Sequence, residues 1–215
     1  MYLRVTEAVG NGEKHPGTFA DGTYLARLDA AFAGFYFAAI DAWRNGRRAA
    51  VPDAWKIAFE LADRRRVNGV GDLLLGMNAH ISRDLPFAVA RVGLQQASRA
   101  GARRSFEQVN GILQRVSGPL LREAARRLDP TIADFTLPVL ATNNGSLGLL
   151  LGRWRDDALR QADRLLKART SAQRAVVARS IEQKAVARAV VIAAATSRVP
   201  FSEAGHARDA YCRSH

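Results

Sequence analysis

Apolar residues recur at intervals of three and four over most of the chain, and no stretch shows sustained alternation of apolar and polar positions bounded by turn pairs. That spacing lines one face of a helix with about 3.6 residues per turn, so the pattern predicts an all-α fold. The first such run covers residues 24–43. Asp21 or Thr23 is placed to cap it and Asn45-Gly46 to end it. Pro52, at a first-turn position, opens a second helix to about residue 65, carrying Trp55, Ile57, Phe59 and Leu61, with Asn68-Gly69 as its stop. A third runs over 71–100, bent or interrupted by Pro86. Ser105 opens a fourth, which reaches Leu128 and halts at Asp129-Pro130, because a residue before proline is pushed away from helical angles.

Residues 129–146, with Pro138 and Asn143-Asn144-Gly145-Ser146, predict a long irregular connection, Ser146 capping the next helix. Leu147, Leu151, Trp154, Ala158, Ala162 and Leu165 then form the stripe of that core-facing helix. A last helix over 171–197 carries Val176, Ile181, Val190, Val191 and Ile192 and is closed by Pro200. The expected architecture is one helical bundle of six to seven helices over residues 1–205, followed by a flexible tail at 206–215. No internal repeat or separating linker divides it.

At 215 residues, 48% of them hydrophobic, the chain is long enough to bury a core and too apolar to be disordered. A single cysteine, Cys212, excludes an internal disulfide, and four histidines leave little for a His-rich metal cluster. Arg4 and Glu7 interrupt what would be the apolar core of a signal peptide, and the longest nearly apolar stretch, residues 30–40, falls short of the ~18 residues that cross a bilayer. A cytoplasmic location without a membrane span is expected. The net charge of +12 invites a nucleic-acid reading, but 28 of the 32 basic residues are arginine, a skew that a GC-rich genome imposes. The excess lies in residues 64–215, where Arg64-Arg65-Arg66, Arg103-Arg104 and Arg126-Arg127 fall at expected helix ends and offset helix dipoles.

Chemistry concentrates in residues 73–87, which are apolar nearly all round yet include Asn78, His80 and Asp84. Four residues separate His80 from Asp84, so both lie on one helix face, where the carboxylate can orient the imidazole or join it in ligating a metal. Asn78 lies about 200° round an ideal helix from His80, so a regular helix does not aim all three at one point. Gly76, one turn before His80, leaves room for a neighbouring helix or a ligand. On the helix over 24–43, Asp29, Tyr36 and Trp43 share a face, which makes Asp29 a further candidate carboxylate. Elsewhere, Gly69-Val-Gly71, Gly145-Ser146-Leu147-Gly148 and Glu203-Ala-Gly-His206 miss the spacing or context of dinucleotide, nucleophile-elbow and di-iron motifs. His15, beside Pro16, falls in a loop.

The segment Leu74-Leu-Gly-Met-Asn-Ala-His-Ile-Ser-Arg-Asp-Leu-Pro86 resembles the signature of a mostly bacterial helical family, domain of unknown function 5995, which usually reads Gly-Met-Asn-Ala-His-Ile-Asn-x-Asp-Leu. Residues 2–9, Ala26-Arg-Leu-Asp29, Asp41-Ala-Trp43 and Val109-Asn110 resemble it too, so the likeness covers at least residues 1–130. Ser82 stands where the family usually has Asn, and members generally carry residues ahead of the point where this chain begins. The resemblance implies a helical fold, singles out Asn78, His80 and Asp84, and brings no activity.

The His80–Asp84 pair admits two accounts. In one it is a satisfied core network. In the other it serves a pocket that binds a small molecule, with Asn78 as a polar anchor and Asp29 as a further carboxylate. Hydrolysis or proton transfer is then the compatible chemistry, with one divalent metal on His80, Asp84 and Asp29 as a variant. Whether the protein is an enzyme is left open. The alternative function is an interaction module in which arginines of residues 103–127 and 153–179 face an acidic partner such as nucleic acid. A third is a partner-docking or membrane-surface role for the Ala-Val-rich end of the last helix.

Overall fold

Asp21 provides the cap for the first predicted helix: its Oδ1 accepts the Tyr24 amide at 2.9 Å, and helix α2 spans Gly22–Arg44. The computed structural model describes residues 2–13, 18–93, 99–127, 129–132, 147–197 and 203–214. The all-α expectation holds. Every regular element among these residues is a helix, and an isolated β-bridge joins Val67 to Ser197. Helix α1, Tyr2–Glu13, is not marked by the apolar spacing, since Gly10 and Gly12 lower its intrinsic propensity. Packing against the helix of residues 99–127, with Val9 buried, supports it.

Helix α3, Asp53–Asp63, begins just after Pro52 and ends before Arg65, whose φ of +52° breaks the helical path. Asn68 therefore does not close α3. It caps α4, Gly69–Asn78, accepting the Gly71 amide at 2.9 Å.

The predicted helix over 71–100 is in fact three pieces. After α4 the chain continues as a π-helix over Ala79–Asp84 and returns to α-helix in α5, Leu85–Val92, stopped by Gly93 at φ +80°. Pro86 accounts for this: it has no N–H for the carbonyl four residues back, and its ring crowds that carbonyl. Widening the preceding turn relieves the conflict without breaking the rod, and the Leu85 amide donates to the His80 carbonyl, five residues back.

Helix α6, Arg99–Arg127, starts well ahead of Ser105, whose hydroxyl instead accepts the Asp21 amide at 2.7 Å. Helix α7, Leu147–Lys167, buries all six residues of the predicted stripe. Helix α8, Ser171–Ala195, opens with a capping box between Thr170 and Gln173. It buries Val177, Ile181, Ala185, Ala189 and Ile192, while Val176, Val190 and Val191 are exposed. Residues 206–215 were expected to fray, yet helix α9 spans Glu203–Ser214, and the Tyr211 hydroxyl donates to the Arg126 carbonyl. The predicted stop at Leu128, the connection within 133–146 including Pro138 and the Ser146 cap, the closure by Pro200 and the loop at His15 lie outside the described residues. Among the described residues no helix is long and apolar enough to cross a membrane.

Helix α5 packs on α7, α7 on α6, and α3 and α4 on α8. The π-helical turn touches α2, α3, α7 and α8, so its side chains sit where the bundle converges.

Candidate functional site

A cavity of about 510 Å³ lies between α1, α2, α3, α4, α6 and α7, within the size range of small-molecule sites. Its walls are mostly aliphatic and aromatic, with Leu28, Phe32, Trp55, Met77 and Leu113 among them; Asp29, His80 and Arg155 add polar groups. Gly76 also lines it, and a Cβ built there meets nothing within 4 Å. The missing side chain thus leaves space in the cavity.

His80 is brought to this wall by the π-helical turn and stacks on Phe32, ring centroids 3.6 Å apart and planes within 6°. Its Nδ1 lies 3.2 Å from Asp84 Oδ2, which also accepts the Trp55 indole N–H at 2.8 Å; Arg83 donates to Oδ1 at 2.9 Å. Because a carboxylate only accepts, Nδ1 carries the proton of this hydrogen bond. Arg83 also donates to Glu182 Oε2 at 3.1 Å, and Glu182 Oε1 accepts the Ala54 amide at 3.0 Å. Asp84 thereby links the π-helical turn to α3 and, through Arg83, to α8.

His80 and Asp84 meet as their spacing requires, whereas Asn78 points elsewhere. It is fully buried, does not line the cavity, and donates through Nδ2 to the Ala185 carbonyl of α8 at 2.8 Å. Ser82 also turns toward α8, where its hydroxyl accepts from Arg188. Asp29 lies on the cavity wall within electrostatic reach of His80; burial raises its pKa, and His80 opposes that rise. Among the described residues no three His, Cys, Asp or Glu side chains cluster closely enough to hold a metal ion. Asp84, with three donors on its two oxygens, is built to orient.

The Asp29 shift has a sign that can be tested. Its folded pKa lies above the ordinary 3.8, so the native state holds this proton more tightly than the unfolded chain. The resulting stability is complete below pH 3.8 and is lost as pH rises through the raised value. Asp29→Asn is expected to flatten this decline and to melt above wild type at pH 7. Thermal melts from pH 4 to 8 with parallel slopes in both proteins would exclude the effect.

Arg155 is a cavity residue that no sequence motif marks. It sits on the apolar stripe of α7, four residues after Leu151 and three before Ala158, a charge on a face that should be uniformly apolar. Only 6% exposed, it donates from Nε to Asn110 Oδ1 at 2.7 Å and from Nη2 to the Phe106 carbonyl at 3.1 Å, with its guanidinium 4.1 Å from the centre of the Phe106 ring. Burial lowers its pKa to about 10. Some other arginines are surface groups paired along their own helices, as in Arg103–Glu107, Arg127–Glu123 and Arg160–Asp157. Such pairs give an acidic partner little unspent charge.

The profile of a family of unknown function, DUF5995, matches residues 1–195. The chain belongs to that family. The match extends past the residues that carried the resemblance and takes in α7 and α8, so the DUF5995 region includes Arg155 as well as the His80–Asp84 turn. No curated protein and no solved structure matches this DUF5995 chain.

Proposed function

We propose that the protein binds a small, mainly apolar molecule in the central cavity and presents His80 to it as a proton-transfer group, with Asp84 as the positioning residue. The observation that carries this reading is that His80 lines a 510 Å³ apolar cavity while its Nδ1 is held by Asp84. A core network alone accounts for the pair but not for the space beside it, since well-packed interiors leave few voids larger than a water molecule. The open position at Gly76 supports the same reading.

Titration with the neutral, environment-sensitive dye Nile red tests the binding. Wild type is expected to bind it saturably near one equivalent. Gly76→Leu, whose side chain projects into the cavity, is expected to bind at least tenfold more weakly with an unchanged far-UV spectrum. Non-saturable binding to wild type, or equal affinity in a folded Gly76→Leu protein, would overturn the reading.

A further inference from the structure

Among the described residues the charge of Arg155 has no counter-ion. No carboxylate among the described residues pairs with it; Asp156, its exposed chain neighbour, acts only at longer range. Nε and Nη2 have their acceptors, but Nη1 has no hydrogen bond within the described residues, and the guanidinium belongs to the cavity wall. Buried charges are ordinarily paired, because desolvating an isolated ion costs several kcal/mol. Tyr24 belongs to the surroundings of Arg155 without lining the cavity. Tyr24 is 8% exposed, lies within electrostatic reach of Arg155, and its hydroxyl oxygen is buried with no hydrogen-bond partner among the described residues. Burial pushes that phenol up to about 12, so it keeps its proton and remains a donor.

We infer that the cavity ligand is an amphipathic carboxylic acid, its carboxylate held by Arg155 and its apolar body in the cavity. This rests on the cavity-binding reading above and adds the class of ligand. A monoanion matches one guanidinium, whereas a phosphate dianion would bring a second, uncompensated charge into a cavity whose wall already holds the Asp29 and Asp72 carboxylates. Helix α2 supplies the scale. Tyr24 is within electrostatic reach of Arg155 and Phe32 stacks on His80, and the eight steps from Tyr24 to Phe32 cover about 12 Å of helix. A ten-carbon chain, at roughly 1.2 Å per bond when extended, reaches from the one group to the other. The far end of such a molecule lies beside His80.

Displacement of bound Nile red by decanoate and by decanol, at pH 8 where the acid is ionised, separates the claims. Wild type is expected to prefer decanoate by at least tenfold. Arg155→Met should remove that preference while holding decanol within about twofold, and His80→Ala should keep it. Saturable Nile red binding with no preference for decanoate would overturn the anion assignment and leave the cavity reading intact; absent dye binding would remove both. A preference lost in His80→Ala but retained in Arg155→Met would place the anion at the other end and equally overturn the assignment. If Arg155→Met fails to fold, wild-type selectivity and its retention in His80→Ala still decide.

Discussion

Asp84→Ala is expected to destabilise the protein by about 3–5 kcal/mol, the usual cost of removing one partner from a buried ion pair. Asp84 is fully buried and takes three donors: the Trp55 indole, His80 Nδ1 and Arg83. Alanine leaves all three pointing into a void, and among the described residues Arg83 keeps Glu182 alone to offset its charge. The damage spreads because Arg83 and Glu182 join the π-helical turn to α8 and to the first turn of α3. His80→Ala contrasts with this. It leaves Asp84 with Trp55 and Arg83, removes a ring from a cavity wall, and is expected to cost no more than about 2 kcal/mol, within the ordinary range for single substitutions. Urea unfolding followed by circular dichroism measures both. An Asp84→Ala protein within 1 kcal/mol of wild type would show that the carboxylate does not organise this turn; a His80→Ala protein as unstable as Asp84→Ala would give His80 a structural role instead of the one proposed.

The His80–Asp84 contact was legible because a four-residue separation brings two side chains together on either an α- or a slightly widened helical turn. The widening itself was not. Pro86 announces that the i to i−4 bond at Ser82 is lost, but whether the chain kinks or relaxes into a π turn depends on what surrounds it, here α2, α3, α7 and α8. The stripe of α7 was read correctly because large apolar residues mark its inner face. The same rule does not find the inner face of α8, where Ala185 and Ala189 are fully buried and Val190 and Val191 are outside. Small residues let α8 approach α4 closely enough for Asn78 to reach the Ala185 carbonyl, so close packing outweighs side-chain hydrophobicity there. Asn78 illustrates the limit: its polarity drew it into the candidate site, whereas its position on the helix turns it to α8. Arg155 shows the reverse, a polar residue on an apolar stripe whose importance emerges only when α1, α2, α3, α4, α6 and α7 together enclose a space.

The second large effect is expected at Gly148, where α7 crosses α6. A Cβ placed there would stand 2.5 Å from Gln114 Cα and 3.0 Å from its amide nitrogen, against backbone that cannot swing aside as a side chain would. Gly148→Val must therefore push the helices apart, and it is expected to cost about 3 kcal/mol, the upper part of the overpacking range, despite the gain in helix propensity over glycine. The crossing also fixes the cavity. Arg155 lies two turns further along α7 and is held by Asn110 and the Phe106 carbonyl of α6, while Leu113 and Leu151 form adjoining wall from the two helices. Separation at Gly148 should loosen these contacts before the bundle unfolds, so under conditions where the variant remains folded, Nile red affinity is expected to fall with stability. Gly76→Ala is the matched control, since its Cβ meets nothing and the helix gains about 0.4–1 kcal/mol from the lost glycine freedom. Chemical denaturation of the two variants beside wild type gives the comparison. Equal stability of Gly148→Val and wild type would mean that α6 and α7 are not held at this distance, and the wall that positions Arg155 would have to be redrawn.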